Sequence, residues 1–124
     1  MRKIFMIAAL LMFGPANAHA EGNPVRGADQ YKEECADCHS VVPGKNKKGP
    51  SLHGVVGRTP ARVEGFEYSD PMKANATPWT PERLDAYITA PKKVVPHGIM
   101  KFDGMENAAD RADVIAYLRT LGGS

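Results

Sequence analysis

The sequence predicts a small all-α domain, and three observations carry that prediction. Near the C-terminus Val114, Tyr117, Leu118 and Leu121 recur at i, i+3, i+4 and i+7, the spacing of one helix face. Two earlier segments open on a capping residue followed directly by proline, a helix-start signal. No run alternates apolar and polar residues with the period of two that a half-buried strand would show.

Taken in order, residues 1–20 read as an export signal. Arg2-Lys3 form a positive start, Ile4 to Phe13 are ten consecutive apolar residues, Gly14-Pro15 break the run, and Ala18-His19-Ala20 is an A-x-A cleavage site. Ten apolar residues are too few to span a bilayer, which needs about 20. Cleavage is expected after Ala20, with Ala18 the alternative, leaving residues 21–124 as one domain in the periplasm. The full chain has 16 Lys+Arg against 14 Asp+Glu, and the leader removes Arg2 and Lys3 and no acid. The mature chain is therefore neutral, which gives no support to nucleic-acid binding through net basicity.

Residues 23–38 read as the first helix, with Asn23 as N-cap, Pro24 at the first position, and Val25, Ala28, Tyr31 and Cys35 near one face. Gly27 inside it costs up to about 1 kcal/mol relative to Ala, which leaves two readings: a close backbone contact or a tolerated surface glycine. Residues 40–69 contain eight Gly or Pro and no helical period. A loop of that length is unusual in a compact domain, unless it packs on a large apolar group. Asp70-Pro71 can start a short turn through Ala74. Thr80-Pro81-Glu82 opens a helix carrying Leu84, Tyr87 and Ile88 that should stop before Pro91. Asn107 caps the last helix, Asp110 and Asp113 suit its N-terminal dipole, and Gly122-Gly123 end it.

The chemistry concentrates in Cys35-Ala36-Asp37-Cys38-His39. C-x-x-C-H is the attachment pattern for c-type haem, in which two thiols bond the porphyrin and the adjoining His binds iron. The same spacing also serves a redox dithiol or half of a zinc site. A zinc site would have to borrow His53 or His97, and a thioredoxin-like dithiol would need a βαβ context that the pattern lacks. His39 fills one axial position on the iron, and Met72, Met100, Met105, His53 and His97 are the candidates for the other. Met100 stands out because it lies in an irregular apolar loop, Pro96 to Gly104, between the third and last helices.

With these residues in view, the sequence resembles class I cytochrome c, of the short periplasmic and mitochondrial-like branch, over residues 23–121. The matching segments, in the family's order, are Cys35 to His39, Gly49-Pro50-Ser51-Leu52-His53-Gly54, Gly57-Arg58, Gly65-Phe66-Glu67-Tyr68, Trp79, Pro91-Lys92-Lys93, Met100-Lys101-Phe102 and Arg111 to Leu118. The resemblance implies three main helices plus a short one, with long loops wrapped around one covalent haem. It implies Met100 as second axial ligand, with Met105 the runner-up, and the Pro50 carbonyl as acceptor for the Nδ1–H of His39. It further implies Arg58, Tyr68 and Trp79 as partners of the haem propionates, Tyr87 as a hydrogen-bond donor near the Met sulfur, and Phe102 as an aromatic lid. Two positions depart from the family's pattern. Met72 stands where many relatives carry Asn beside a propionate, and Gly98 where they often carry a hydroxyl residue.

The function so implied is one-electron transport by a soluble monomer rather than catalysis. Its expected partners are redox proteins such as a quinol:cytochrome c oxidoreductase, a terminal oxidase, a reaction centre or a periplasmic dehydrogenase. Lys45, Lys47, Lys48, Lys92, Lys93 and Lys101 are expected to border the exposed haem edge and to steer acidic partners. The alternative reading, a haem peroxidase or gas-binding sensor, requires a labile sixth ligand.

Overall fold

A computed structural model describes residues 21–122, so the expected leader and its cleavage point lie outside the described residues. Five helices succeed one another: α1 (Pro24–Glu34), α2 (Asp70–Lys73), α3 (Pro81–Thr89), α4 (Pro91–Val94) and α5 (Ala108–Arg119). No strand occurs among the described residues. The all-α expectation holds, with two short helices instead of one.

Local chemistry sets the boundaries. Asn23 Oδ1 accepts the N–H groups of Val25 and Arg26 at 2.9 and 3.0 Å, starting α1. Ser69 caps α2 through Met72 N–H, Thr80 caps α3 through Arg83 N–H, and Asn107 caps α5 through Asp110 N–H. α1 ends at Glu34, four residues short of the expected end, and Cys35 to Cys38 form turns. α4 was not anticipated, because Pro91 reads as a stop. A proline does end the preceding helix by withholding an N–H, yet it also suits the first position of a new one, and α4 begins on it.

The main packing unit pairs α1 with α5. Gly27 decides how closely they meet, since a Cβ placed there would lie 1.9 Å from the Asp113 carbonyl oxygen and 2.9 Å from Tyr117 Cβ. The close-contact reading of Gly27 is thus the right one. Tyr31 and Tyr117 pack with ring centroids 5.5 Å apart at 51°. The expectation that Val25 shares the buried face fails: it is 73% exposed, and Gly27 and Tyr31 are the buried positions of α1. At the head of the same interface Asp113 accepts from Asn23 N–H at 2.6 Å and from Arg26 Nε at 2.9 Å. These bonds offset the burial of its charge.

The core joins Tyr31, Val114, Ile115 and Leu118 to Leu84 of α3 and to Val55 and Trp79 from the connecting segments. It is a small core, as expected of a chain this short. Residues 40–69 form no helix and are held by side chains instead. Asn46 Oδ1 accepts Ser51 N–H at 3.0 Å while its Nδ2 donates to Glu64 O at 2.9 Å. Ser51, 2% exposed, donates its hydroxyl to Val42 O at 2.7 Å.

Candidate haem site

The motif sits where α1 runs out. Cys35 is the C-cap residue, and Cys38 N–H and His39 N–H both donate to Cys35 O, at 3.1 and 2.9 Å. The i, i+3 relation that would let both thiols bond one macrocycle is therefore kept by a turn rather than by the helix. Tyr31 O–H donates to His39 O at 2.9 Å, Gly49 N–H to Cys38 O at 2.6 Å, and Lys47 Nζ to Ala36 O. The pentapeptide is thus held from the helix before it and the loop after it.

His39 is oriented for ligation. Its Nδ1 lies 2.7 Å from Pro50 O. A carbonyl can only accept, so Nδ1 carries the proton and the Nε2 lone pair is left for a metal. Burial lowers its pKa, against the opposing pull of that bond, so the imidazole is held in the neutral, ligating form. Gly49 brings backbone against the ring, since a Cβ there would lie 2.4 Å from His39 Cε1.

The other uses of a C-x-x-C pair find no support in this geometry. Exchange needs a thiolate, whereas burial, with Glu34 and Cys38 adding to it, pushes the Cys35 thiol up to about 11. Among the described residues no group of three or more His, Cys, Asp or Glu is placed to hold a metal ion.

The remaining predicted residues divide into three sets. Trp79, Tyr87 and Met100 come together. Trp79 is 5% exposed, its ring centroid lies 4.8 Å from that of Tyr87 at 36°, and Tyr87 O–H donates to Met100 Sδ at 3.7 Å. Burial raises the Tyr87 phenol to about 12, so it remains a donor. Arg58 lies beside them through the backbone, where Trp79 N–H donates to Arg58 O at 2.9 Å and Gly57 N–H to Trp79 O at 2.8 Å. Its Nη1 donates to Ser51 O and His53 O at 3.1 and 2.9 Å. Tyr68 packs edge-on against Phe66 at 4.8 Å and accepts Val63 N–H through its hydroxyl at 3.2 Å, leaving the phenolic proton free to donate. Phe102 is half-buried and pairs with no other aromatic ring among the described residues.

Of the other axial candidates, two pack on the core and two are exposed. Met105 packs against the core and its N–H donates to Ile88 O at 2.7 Å. Met72 also packs on the core. His53 and His97 are exposed, and His97 has a left-handed backbone, φ 61°. A side chain at Gly98 would crowd Val95, with a Cβ 3.2 Å from its carbonyl oxygen. The six lysines flanking the motif and the Met100 loop are all exposed.

These residues fit a haem. Arg58 Nε is buried with no protein acceptor, and an unpaired buried guanidinium donor suits a carboxylate such as a propionate. The anchored neutral imidazole and the thioether of Met100 suit iron. Comparison with known proteins agrees. The family model for cytochrome c matches residues 24–122. The chain belongs to the cytochrome c family. It is 51% identical over 100 residues to the cytochrome c-type cyt cy of Rhodobacter capsulatus, covering 81% of this chain but only about half the length of that relative, at 50%. It is 44% identical over 122 residues to cytochrome c2 of Rhodomicrobium vannielii, covering 98% of this chain and 96% of the relative. Against cytochrome c2 of Rhodopila globiformis the identity is 43% over 100 residues, with 81% and 94% covered. As a cytochrome c, the protein carries a covalently attached c-type haem and transfers electrons rather than turning over a substrate.

Sequence reasoning missed Asn46 and Ser51, which fix the long loop, and the pair Asn75–Arg83 beside Trp79.

Proposed function

We propose that the protein is a soluble periplasmic electron carrier whose iron is held by His39 and Met100 and which docks redox partners through the lysines around its haem edge. The observation that carries this reading is the anchoring of both ligating side chains, His39 by Pro50 and Met100 by Tyr87. When bound, the haem supplies the ferric–ferrous couple. Pro50 fixes the imidazole plane and raises its basicity. A thioether is a poorer donor than a second imidazole and so favours ferrous iron and a higher potential. Arg58, Tyr68 and Trp79 offer donors to the propionates, and Phe102 shields the Met100 side. His39 and Met100, each held by a neighbour, would hold the iron, and little rearrangement of these side chains would be needed as the haem exchanges an electron.

The periplasmic assignment is supported by the leader-like pattern of residues 1–20. Lys45, Lys47, Lys48, Lys92, Lys93 and Lys101 favour an acidic partner face on an oxidase, reaction centre, quinol-oxidising complex or dehydrogenase. The test is the spectrum of the haem-loaded protein before and after carbon monoxide. The expected result is a sharp reduced α band, a weak far-red ferric band lost in Met100→Ala, and no carbon monoxide response. Ready carbon monoxide binding by the native ferrous protein would favour the sensor or peroxidase reading instead.

A further inference from the structure

The contacts from Trp79 through Tyr87 to Met100 continue at their other end into Arg83. Thr80 Oγ1 accepts the Arg83 N–H at 3.2 Å and fixes the first turn of α3. Across that turn the Arg83 guanidinium lies over the Trp79 ring, 5.3 Å from its centroid. Arg83 Nη2 donates to Asn75 Oδ1 at 2.8 Å, and Asn75 N–H donates to Met72 O at 3.1 Å, at the end of α2. The sequence of contacts is thus Asn75, Arg83, Trp79, Tyr87, Met100.

Stability alone accounts poorly for this arginine. Arg83 Nε and Asn75 Nδ2, like Arg58 Nε, are buried with no protein acceptor, and donors left so disfavour the fold of the protein part. An apolar side chain would cover the indole without them. What an apolar side chain lacks is a plane held by a directional bond at one edge and an aromatic ring on its face.

We propose that Arg83, held by Asn75, is a positioning residue that fixes the Trp79–Tyr87 pair and so aims the Tyr87 hydroxyl at Met100 Sδ. The proposal rests on Met100 being an iron ligand. A hydrogen bond to the thioether draws electron density from sulfur, weakens it as a donor and favours ferrous iron. Arg83 therefore keeps the potential high by acting through Tyr87 and not by its charge.

The test is a double-mutant cycle on the haem-loaded protein, read as midpoint potential: native, Arg83→Leu, Tyr87→Phe and the double variant. The potential should fall in each single variant, and the double variant should match Tyr87→Phe. Arg83→Lys, which keeps the charge and loses the planar fork, should behave as Arg83→Leu does. Additive shifts in the double variant, or full recovery in Arg83→Lys, would overturn the proposal in favour of a simple point charge. A fall in thermal midpoint with no change of potential would reduce Arg83 to packing and overturn it too. Failure of the underlying reading has its own signature, a far-red ferric band that survives in Met100→Ala.

Discussion

Replacing Gly27 with alanine sets helix propensity directly against packing, and the structure says which wins. In an isolated helix the change would stabilise by about 1 kcal/mol. Here the new Cβ would lie 1.9 Å from the Asp113 carbonyl oxygen, 2.5 Å from its carbon and 2.9 Å from Tyr117 Cβ. Non-bonded carbon contacts settle near 3.5–4.0 Å, so α1 and α5 must separate by roughly 1.5 Å to admit it. A radial gap of about 0.5–1 Å already forfeits a quarter to a half of a dispersion contact, and this interface carries Tyr31, Val114 and Leu118. Overpacking of this kind costs about 1–3 kcal/mol or more. With a backbone carbonyl as the obstacle the cost falls at the upper end, giving a net loss of about 2 kcal/mol. For a domain of this size that lowers Tm by about 8–16 °C. The assay is thermal and denaturant unfolding of the haem-loaded protein. Asp29→Ala, on the exposed side of the same helix, serves as the control and should change stability by no more than about 0.5 kcal/mol. A Gly27→Ala protein as stable as the native one, or more so, would refute the argument that this interface has no room.

Three other perturbations follow from the same geometry. The Arg26 hydrogen bond, backed by Asn23 N–H, holds the Asp113 carboxyl below its ordinary 3.8. A depressed folded value means stability that is present at neutral pH and lost as pH falls through 3.8 and below. Asp113→Asn should therefore unfold more easily at pH 7 and lose less on acidification, read from denaturant midpoints across the acid range. Gly49→Ala should drive the His39 ring off Pro50, altering the absorption spectrum and weakening haem ligation, whereas an unchanged spectrum would show that the loop yields freely. Leu118→Ala, at a position 4% exposed, should cost about 2–5 kcal/mol and leave the spectrum of the surviving folded protein unaltered.

The helices that could be read in advance were those whose starts are chemically marked. Asn23, Thr80 and Asn107 cap α1, α3 and α5 in the structure as their side chains suggest. The errors have equally local causes. Pro91 carries the same signal for an end and for a beginning, so α4 went unseen. Val25 fits the helical spacing yet is 73% exposed, while Asn23, Arg26 and Gly27 on either side of it meet α5. Gly27 could not be decided without its neighbour, because a close approach is a property of two helices and periodicity describes one. For the site, His39 with Pro50 and Tyr87 with Met100 sit together as the family resemblance implied. Asn46, Asn75 and Arg83 lie in no matching segment, and Ser51 lies in one without a role of its own. Polar residues in a glycine-rich loop and a cation on a helix start look like solvated surface until the partner each one meets is known.

The clasp made by Asn46 also bears on how this chain can be lengthened. The bond to Glu64 O closes a segment whose ends are 18 residues apart. The entropy of closing a loop grows only with the logarithm of its length, so doubling such a segment costs about 0.6 kcal/mol. The chain between the two ends passes half-buried Ala61, whose backbone is left-handed at φ 59°, and exposed Arg62. Residues inserted there would lengthen the excursion without touching Ser51, Arg58 or the motif. The region is thus a natural port for grafting a peptide, with the spectrum of the iron centre as a built-in report on whether the graft has been accepted.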